Sequence, residues 1–216
     1  MSKINLNRAI NILSWILVLF AIGVLVSPFL TNVTTYFKQK ELQEQLEAAK
    51  VGKISSLEKA KDPKESTESP KADSAEVRVP SELRLGDPIG IIAIPKIGLK
   101  TIFVEGTTKE LLKGAPGHIQ GTAFPGTLGN SVISGHRTTY GAFFYRLDEL
   151  VPGDAVEIIL ADQKITYKVV SQEIVLPNNT EVLKNSDHSM ITLTTCYPKY
   201  SAKKRLIIKA HLAQES

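Results

Sequence analysis

A single cysteine, Cys196, occurs in the 216 residues, at the end of the apolar, β-branched run MITLTTC (190–196). Another such run, SVISGH (131–136), ends on His136, sixty positions earlier. Two reactive-capable side chains at strand tips suit a nucleophile and its proton partner, because a thiol attacks as thiolate and imidazole is the usual group supporting that ionisation. Arg205 opens the last apolar run, RLIIKAHLA (205–213), nine positions after the cysteine. Its charge survives any working pH, and a fixed cation there could hold an oxyanion or a substrate carbonyl during acyl transfer. Taken alone, each residue has a plainer reading: a buried packing thiol, a satisfied core histidine, one more charge in a solvated Lys-Lys-Arg run. Spacing by itself therefore suggests a Cys/His hydrolase or acyltransferase without separating it from those readings.

Strand tips need strands behind them, and from Pro88 onward the chain supplies them. IGIIAI (89–94), TIFVEG (101–106), AVEIILA (155–161) and KITYKVVSQEIVL (164–176) join the three runs above as β-branched segments between Gly and Pro breaks. The runs on either side of Asp162 and Gln163 read as a hairpin. Helical pattern is confined to TKELLKG and AFFYRLDEL, the second placing Phe143 or Phe144 with Leu147 and Leu150 on one face. Seven or more strands with few helices predict a mainly β domain, a barrel or sandwich, over residues 81–216. The loop GAPGHIQGTAFPGTLGN, with five glycines and two prolines, is too long for a plain hairpin connection and is expected to wrap the barrel near a site.

The residues ahead of that domain divide into three. Residues 1–8 form a short basic tail carrying Lys3 and Arg8, and 9–30 read as an uncleaved transmembrane signal anchor, apolar over the roughly 20 residues a bilayer requires. Residues 31–80 begin as a stalk helix with Leu42, Leu46 and Ala49 on one face, expected to be solvated and partly frayed. They continue into the Lys, Glu, Ser and Pro-rich KAKDPKESTESPKADSAEVR, which has too little apolar surface to offset its ordering entropy and is expected to be a disordered tether. Basic residues before the span place the tail in the cytoplasm and the domain outside, although Lys38 and Lys40 follow the span. The net charge of +4 is spread among matching acids, which is no nucleic-acid footprint. One cysteine and four scattered histidines provide neither an internal disulfide nor a zinc-ligand cluster.

The combined pattern resembles the sortase family. It rests on TLTTC with Arg205 nine positions on, on GHR about sixty residues before, and on GAPGHIQGTAFPGTLGN, SGHRTTYGAFFYRLDELVPGD and TTCYPKYSAKKRLIIKAHL across Leu85 to Ala213. GHRTTYGAFF and CYPKYSAKKRL look most similar to class E, the housekeeping type of actinobacteria, with class D second. The resemblance implies an eight-stranded barrel, an anchored N-terminus at the bacterial cell membrane and an extracytoplasmic cysteine transpeptidase without a cofactor. Its substrates would be secreted proteins bearing a C-terminal LPXTG or LAXTG-like motif, and its acceptor an amino group of a peptidoglycan precursor. It implies Cys196 as nucleophile, His136 as general acid and base and Arg205 as oxyanion or substrate stabiliser. Thr195, Tyr140 and His118 are further candidates for the substrate groove or its rim.

Three rivals differ in chemistry. A pilus-type sortase would deliver the acyl group to a pilin lysine. An L,D-transpeptidase would carry a His and a Gly-rich turn just before its Cys, where ITLTT stands here. An inert wall-facing barrel would bind partners and leave Cys196 unactivated.

Overall fold

A computed structural model describes residues 6–59, 79–80, 82–161 and 163–213. The alternating and β-branched runs form eight strands: β1 (Pro88–Ile94), β2 (Leu99–Glu105), β3 (Gly117–His118), β4 (Asn130–Ser134), β5 (Ala155–Leu160), β6 (Gln163–Val175), β7 (Met190–Tyr197) and β8 (Lys204–Leu212). They close in the order β1-β2-β3-β4-β7-β8-β6-β5. β2 with β3 and β4 with β7 are parallel, and the other pairs are antiparallel. Closure leaves open only the part of β2 that the two-residue β3 does not reach. β5 keeps the alternation of a strand with one solvated face, whereas β7 is buried from Met190 through Thr195, as suits a strand covered on both sides. The interior is filled by side chains such as Ile92, Phe103, Ile133, Ile158, Leu193 and Ile208.

Two local features differ from the sequence expectation. The eighth strand, β3, is only two residues long and lies inside the Gly-rich segment that reads as loop. AFFYRLDEL is not an α-helix: a 3-10 turn covers Leu147–Glu149, and Phe144, Leu147 and Leu150 are all buried. Their spacing of three matches the 3.0-residue period of that helix better than 3.6. The sequence TKELLKG does form a helix, α2 (Lys109–Gly114), capped by the Thr108 hydroxyl, which accepts from Leu111 N at 3.3 Å.

Helix α1 (Leu6–Lys59) joins the anchor segment and the stalk in one element. Among the described residues no helix is long and apolar enough to cross a membrane. The described apolar side chains of the anchor segment, from Ile10 to Val26, are exposed. The tether, residues 60–78, lies outside the described residues, as do residues 1–5 and the side chain of Ala49.

The stalk is not simply a solvated helix, as its sequence suggests. Leu42 and Leu46 are buried against Ile102, Val104 and Ala115 in a second apolar cluster on the outer side of β2. Beside them Gln39 completes the sheet edge: its Oε1 accepts from Ile102 N (3.0 Å) and Thr101 Oγ1 (2.8 Å), and its Nε2 donates to Gly114 O (2.7 Å). Such a side chain meets the backbone's obligatory bonds where the short β3 cannot. Close approach depends on a missing side chain, because a Cβ on Gly114 would lie 2.5 Å from Lys38 Cγ. The folded unit therefore extends back beyond residue 81. Truncating one such leucine removes transfer and packing energy of about 2 kcal/mol. In the full chain Leu42→Ala is expected to lower Tm by roughly 4–8 °C, while Glu44→Ala on the exposed face leaves it unchanged. A Leu42→Ala shift no larger than that of Glu44→Ala would show that α1 does not pack.

Candidate active site

Pairing of β4 with β7 brings the two strand tips together. The parallel ladder runs from Asn130 opposite Met190 to Ser134 opposite Thr194. Gly135 N extends it by donating to Thr194 O at 3.1 Å. His136 and Cys196 each lie two residues past the last pair, on neighbouring strands whose axes are about 4.8 Å apart. On the other side of β7, the antiparallel register places Arg205 of β8 directly opposite Cys196. Paired residues share a face of the sheet, so the thiol and guanidinium project together. Cys196, His136 and Arg205 are each half-buried. The residues singled out from 60 positions of separation and from nine thus converge at one end of the barrel.

The surroundings tune each group. Burial pushes the His136 imidazole below its ordinary value, because a charged ring loses hydration there. His136 O accepts from Phe144 N at 3.1 Å, tying the loop after the histidine back onto it. Arg205 donates from Nη1 to Ala202 O (3.0 Å) and Lys204 O (3.1 Å). These bonds fix the guanidinium against the β7–β8 connection and leave Nε and Nη2 uncommitted among the described residues. Tyr140 packs beside the general-base candidate, its ring centroid 5.3 Å from that of His136, and is 37% exposed, so it can line the site. Its backbone is left-handed at φ 49°, which presents the ring from a tight turn.

Two candidates for substrate contact sit elsewhere. Thr195 is buried on the face opposite Cys196, and its hydroxyl donates to Gly135 O at 2.7 Å. It fastens the cysteine strand to the histidine strand and has no hydroxyl proton to spare for a substrate. His118 is buried in β3, with Nδ1 2.8 Å from Glu105 Oε2 and Nε2 3.0 Å from both Ala123 O and the Thr122 hydroxyl. Both ring nitrogens are thus engaged, Nδ1 with Glu105 of β2 and Nε2 within the Gly-rich loop, so His118 clamps that loop to the barrel. Two surface depressions flank Asn130 and Asn185 at the start of β4, the end remote from Cys196.

Sequence reasoning passed over Arg137, although it stands in the quoted GHR. It is the largest fully buried side chain and only 2% exposed. Its Nε donates to Tyr145 O at 3.0 Å, and its Nη2 lies 2.8 Å from Asp148 Oδ1. The only available signal was its position next to His136, since a lone arginine in a polar loop otherwise reads as solvent-facing.

Comparison with known proteins agrees with this geometry. A family model described as the sortase domain matches residues 92–213. Over 140 residues the chain is 35% identical to sortase D of Bacillus subtilis (strain 168), covering 63% of this chain and 69% of that protein. Sortase SrtE1 of Streptomyces coelicolor is 32% identical over 154 residues, covering 64% of this chain and 44% of its own length. Classes D and E are therefore both among the relatives, and the likeness named here does not place E ahead of D. Among solved structures, the sortase D5 transpeptidase of Clostridium perfringens superposes with a TM-score of 0.62 at 28% identity, covering 85% of this chain and 99% of that one. Barrel closure, the convergence of Cys196 with His136 and Arg205, and these likenesses agree: the chain belongs to the sortase family of cysteine transpeptidases.

Proposed function

We propose that the protein is a membrane-anchored sortase that cleaves a C-terminal LPXTG or LAXTG-like motif after its Thr and transfers the secreted protein to an amino group of a cell-wall precursor. The observation that carries this reading is the register of β7, which sets Cys196 opposite Arg205 and beside the tip of β4 that bears His136. The thiol proton passes to His136 as Cys196 attacks the Thr carbonyl. The carbonyl oxygen gains charge, and the Arg205 fork stabilises it or aligns the substrate backbone. Collapse of the tetrahedral species breaks the peptide C–N bond, and the His136 proton leaves with the departing amine. The thioester at Cys196 is then opened by the acceptor amine, whose surplus proton returns through His136 to the restored thiol. Transfer to an amine keeps the acyl linkage that water would destroy. Tyr140 forms one wall beside His136. The apolar anchor segment and the basic residues preceding it support an extracytoplasmic domain held at the membrane.

Intact-mass analysis of the full chain with an LPXTG or LAXTG peptide is expected to show a mass increase on Cys196, chased to an amide product by a small amine. A folded protein labelled by neither peptide would overturn the proposal. Cys196→Ala is expected to abolish turnover with Tm unchanged. Arg205→Lys is expected to lower kcat by about a hundredfold, since a point charge cannot reproduce the fork of donors; near-normal turnover would remove the arginine from its role. For His136 the sign follows from burial: a lowered pKa leaves the ring neutral and proton-accepting at neutral pH, and charging it on acidification costs folding energy. NMR titration of the Cys196→Ala protein should therefore place the His136 midpoint below that of a free histidine, and a midpoint at or above the free value would contradict the burial.

A further inference from the structure

We propose that Asp148, with the two cations that close on it, Arg137 and Lys199, forms a positioning clamp that sets the gap between His136 and Cys196. The inference rests on the acyl-transfer reading above. The β4–β7 ladder stops short of both residues: Ser134 opposite Thr194 is its last pair, and the bonds of Gly135 to Thr194 and Thr195 are the final tie. Beyond that point the two segments need another restraint.

That restraint comes from one side chain on each. Arg137 directly follows His136, and its buried guanidinium lies 2.8 Å from Asp148 Oδ1 through Nη2. Its Nε donates to Tyr145 O, and its central carbon sits 6.0 Å from the ring centroid of Tyr197, the residue after the nucleophile. Lys199, three residues past Cys196, brings Nζ to 4.0 Å from the same Asp148 Oδ1 and 4.1 Å from the ring centroid of Tyr145. The histidine segment and the cysteine segment thus meet on one carboxylate and one tyrosine, both carried by the loop that runs back from His136.

Stability alone does not account for this arrangement. Arg137 Nη1 and Nη2 are buried without a well-aligned hydrogen bond among the described residues, although Nη2 is close to Asp148. A buried cation so incompletely satisfied is costly, and apolar replacement of buried ion pairs is often neutral or stabilising. The Lys199 pair is long and about one-third exposed on each side, so it is weak as a stabiliser. What the cluster does supply is a fixed distance between two loops, and a displacement of about 1 Å in such a pair can cost a hundredfold in rate.

The test compares the full chain with Arg137→Met, Arg137→Lys and Asp148→Asn, using whichever of the LPXTG or LAXTG peptides acylates the unsubstituted protein. Arg137→Met is expected to lower kcat about tenfold or more with KM little changed and Tm within a few degrees. Arg137→Lys should recover part of that loss, because an ammonium can reach Asp148 but not the Tyr145 carbonyl as well. If Arg137→Met fails to fold, Asp148→Asn carries the test, its side chain being 34% exposed and tolerant of change. A kcat within threefold of the unsubstituted protein in both Arg137→Met and Asp148→Asn, or a loss no greater than the lost folded fraction, would overturn the clamp. An unsubstituted protein that accepts neither peptide refutes the acyl-transfer reading instead. The clamp is then judged by iodoacetamide alkylation of Cys196, which it requires to change at least threefold in Asp148→Asn.

Discussion

The parallel ladder between β4 and β7 is the constraint on which the site depends. Two parallel strands cannot be joined by a tight turn, so the chain must cross from the end of one to the start of the other. Here the crossover is itself structured: β5 and β6 pair with each other, then with β1 and β8, and close the barrel. His136 and Cys196 are neighbours because β5 and β6, which lie between them in the chain, form the far wall. β8 then returns antiparallel along β7 and brings Arg205 back to the cysteine. A one-residue slip in that pairing would turn Arg205 to the opposite face.

Buried polar groups hold the loops that leave the ladder. At the remote end, Asn130 donates to Val182 O and Lys184 O and accepts from Thr192, tying the β6–β7 connection to the first residue of β4. His118 of the Gly-rich segment pairs out of solvent with Glu105 of β2. At the site, Thr195 bonds Gly135 and Arg137 reaches Tyr145 and Asp148. Each such group is costly if left unmade, so each specifies one loop path more sharply than apolar packing would.

The stalk adds a restraint from outside the barrel. Its contacts run from Thr35, whose hydroxyl bonds Lys113 O, through Gln39 to Leu46. Thr35 also lies against Gly141, where a Cβ would come within 2.7 Å of its methyl. That glycine follows Tyr140, whose ring packs on His136. Helix α1 therefore touches the loop that flanks His136.

Much of this was legible beforehand where the signal is local. β-branched runs between Gly and Pro breaks located seven strands, two of them ending on Cys196 and His136 and a third opening on Arg205. Resemblance to the sortases supplied the eighth strand, since a two-residue strand such as β3 has no periodicity to detect. Other features depended on partners distant in sequence. The amphipathic face of Leu42 and Leu46 is visible in the residues, but whether water or β2 covers it is decided by the barrel. Thr195 reads as a groove candidate until the pleat turns it away from Cys196, and Arg137 has no distinguishing pattern until the loop folds over it. What the sequence alone determined was seven of the eight strands and which side chains are capable of chemistry, because those follow from side-chain type and period. The tertiary structure decided which of them face one another, because closure, register and burial arise only when segments sixty or more positions apart pack together.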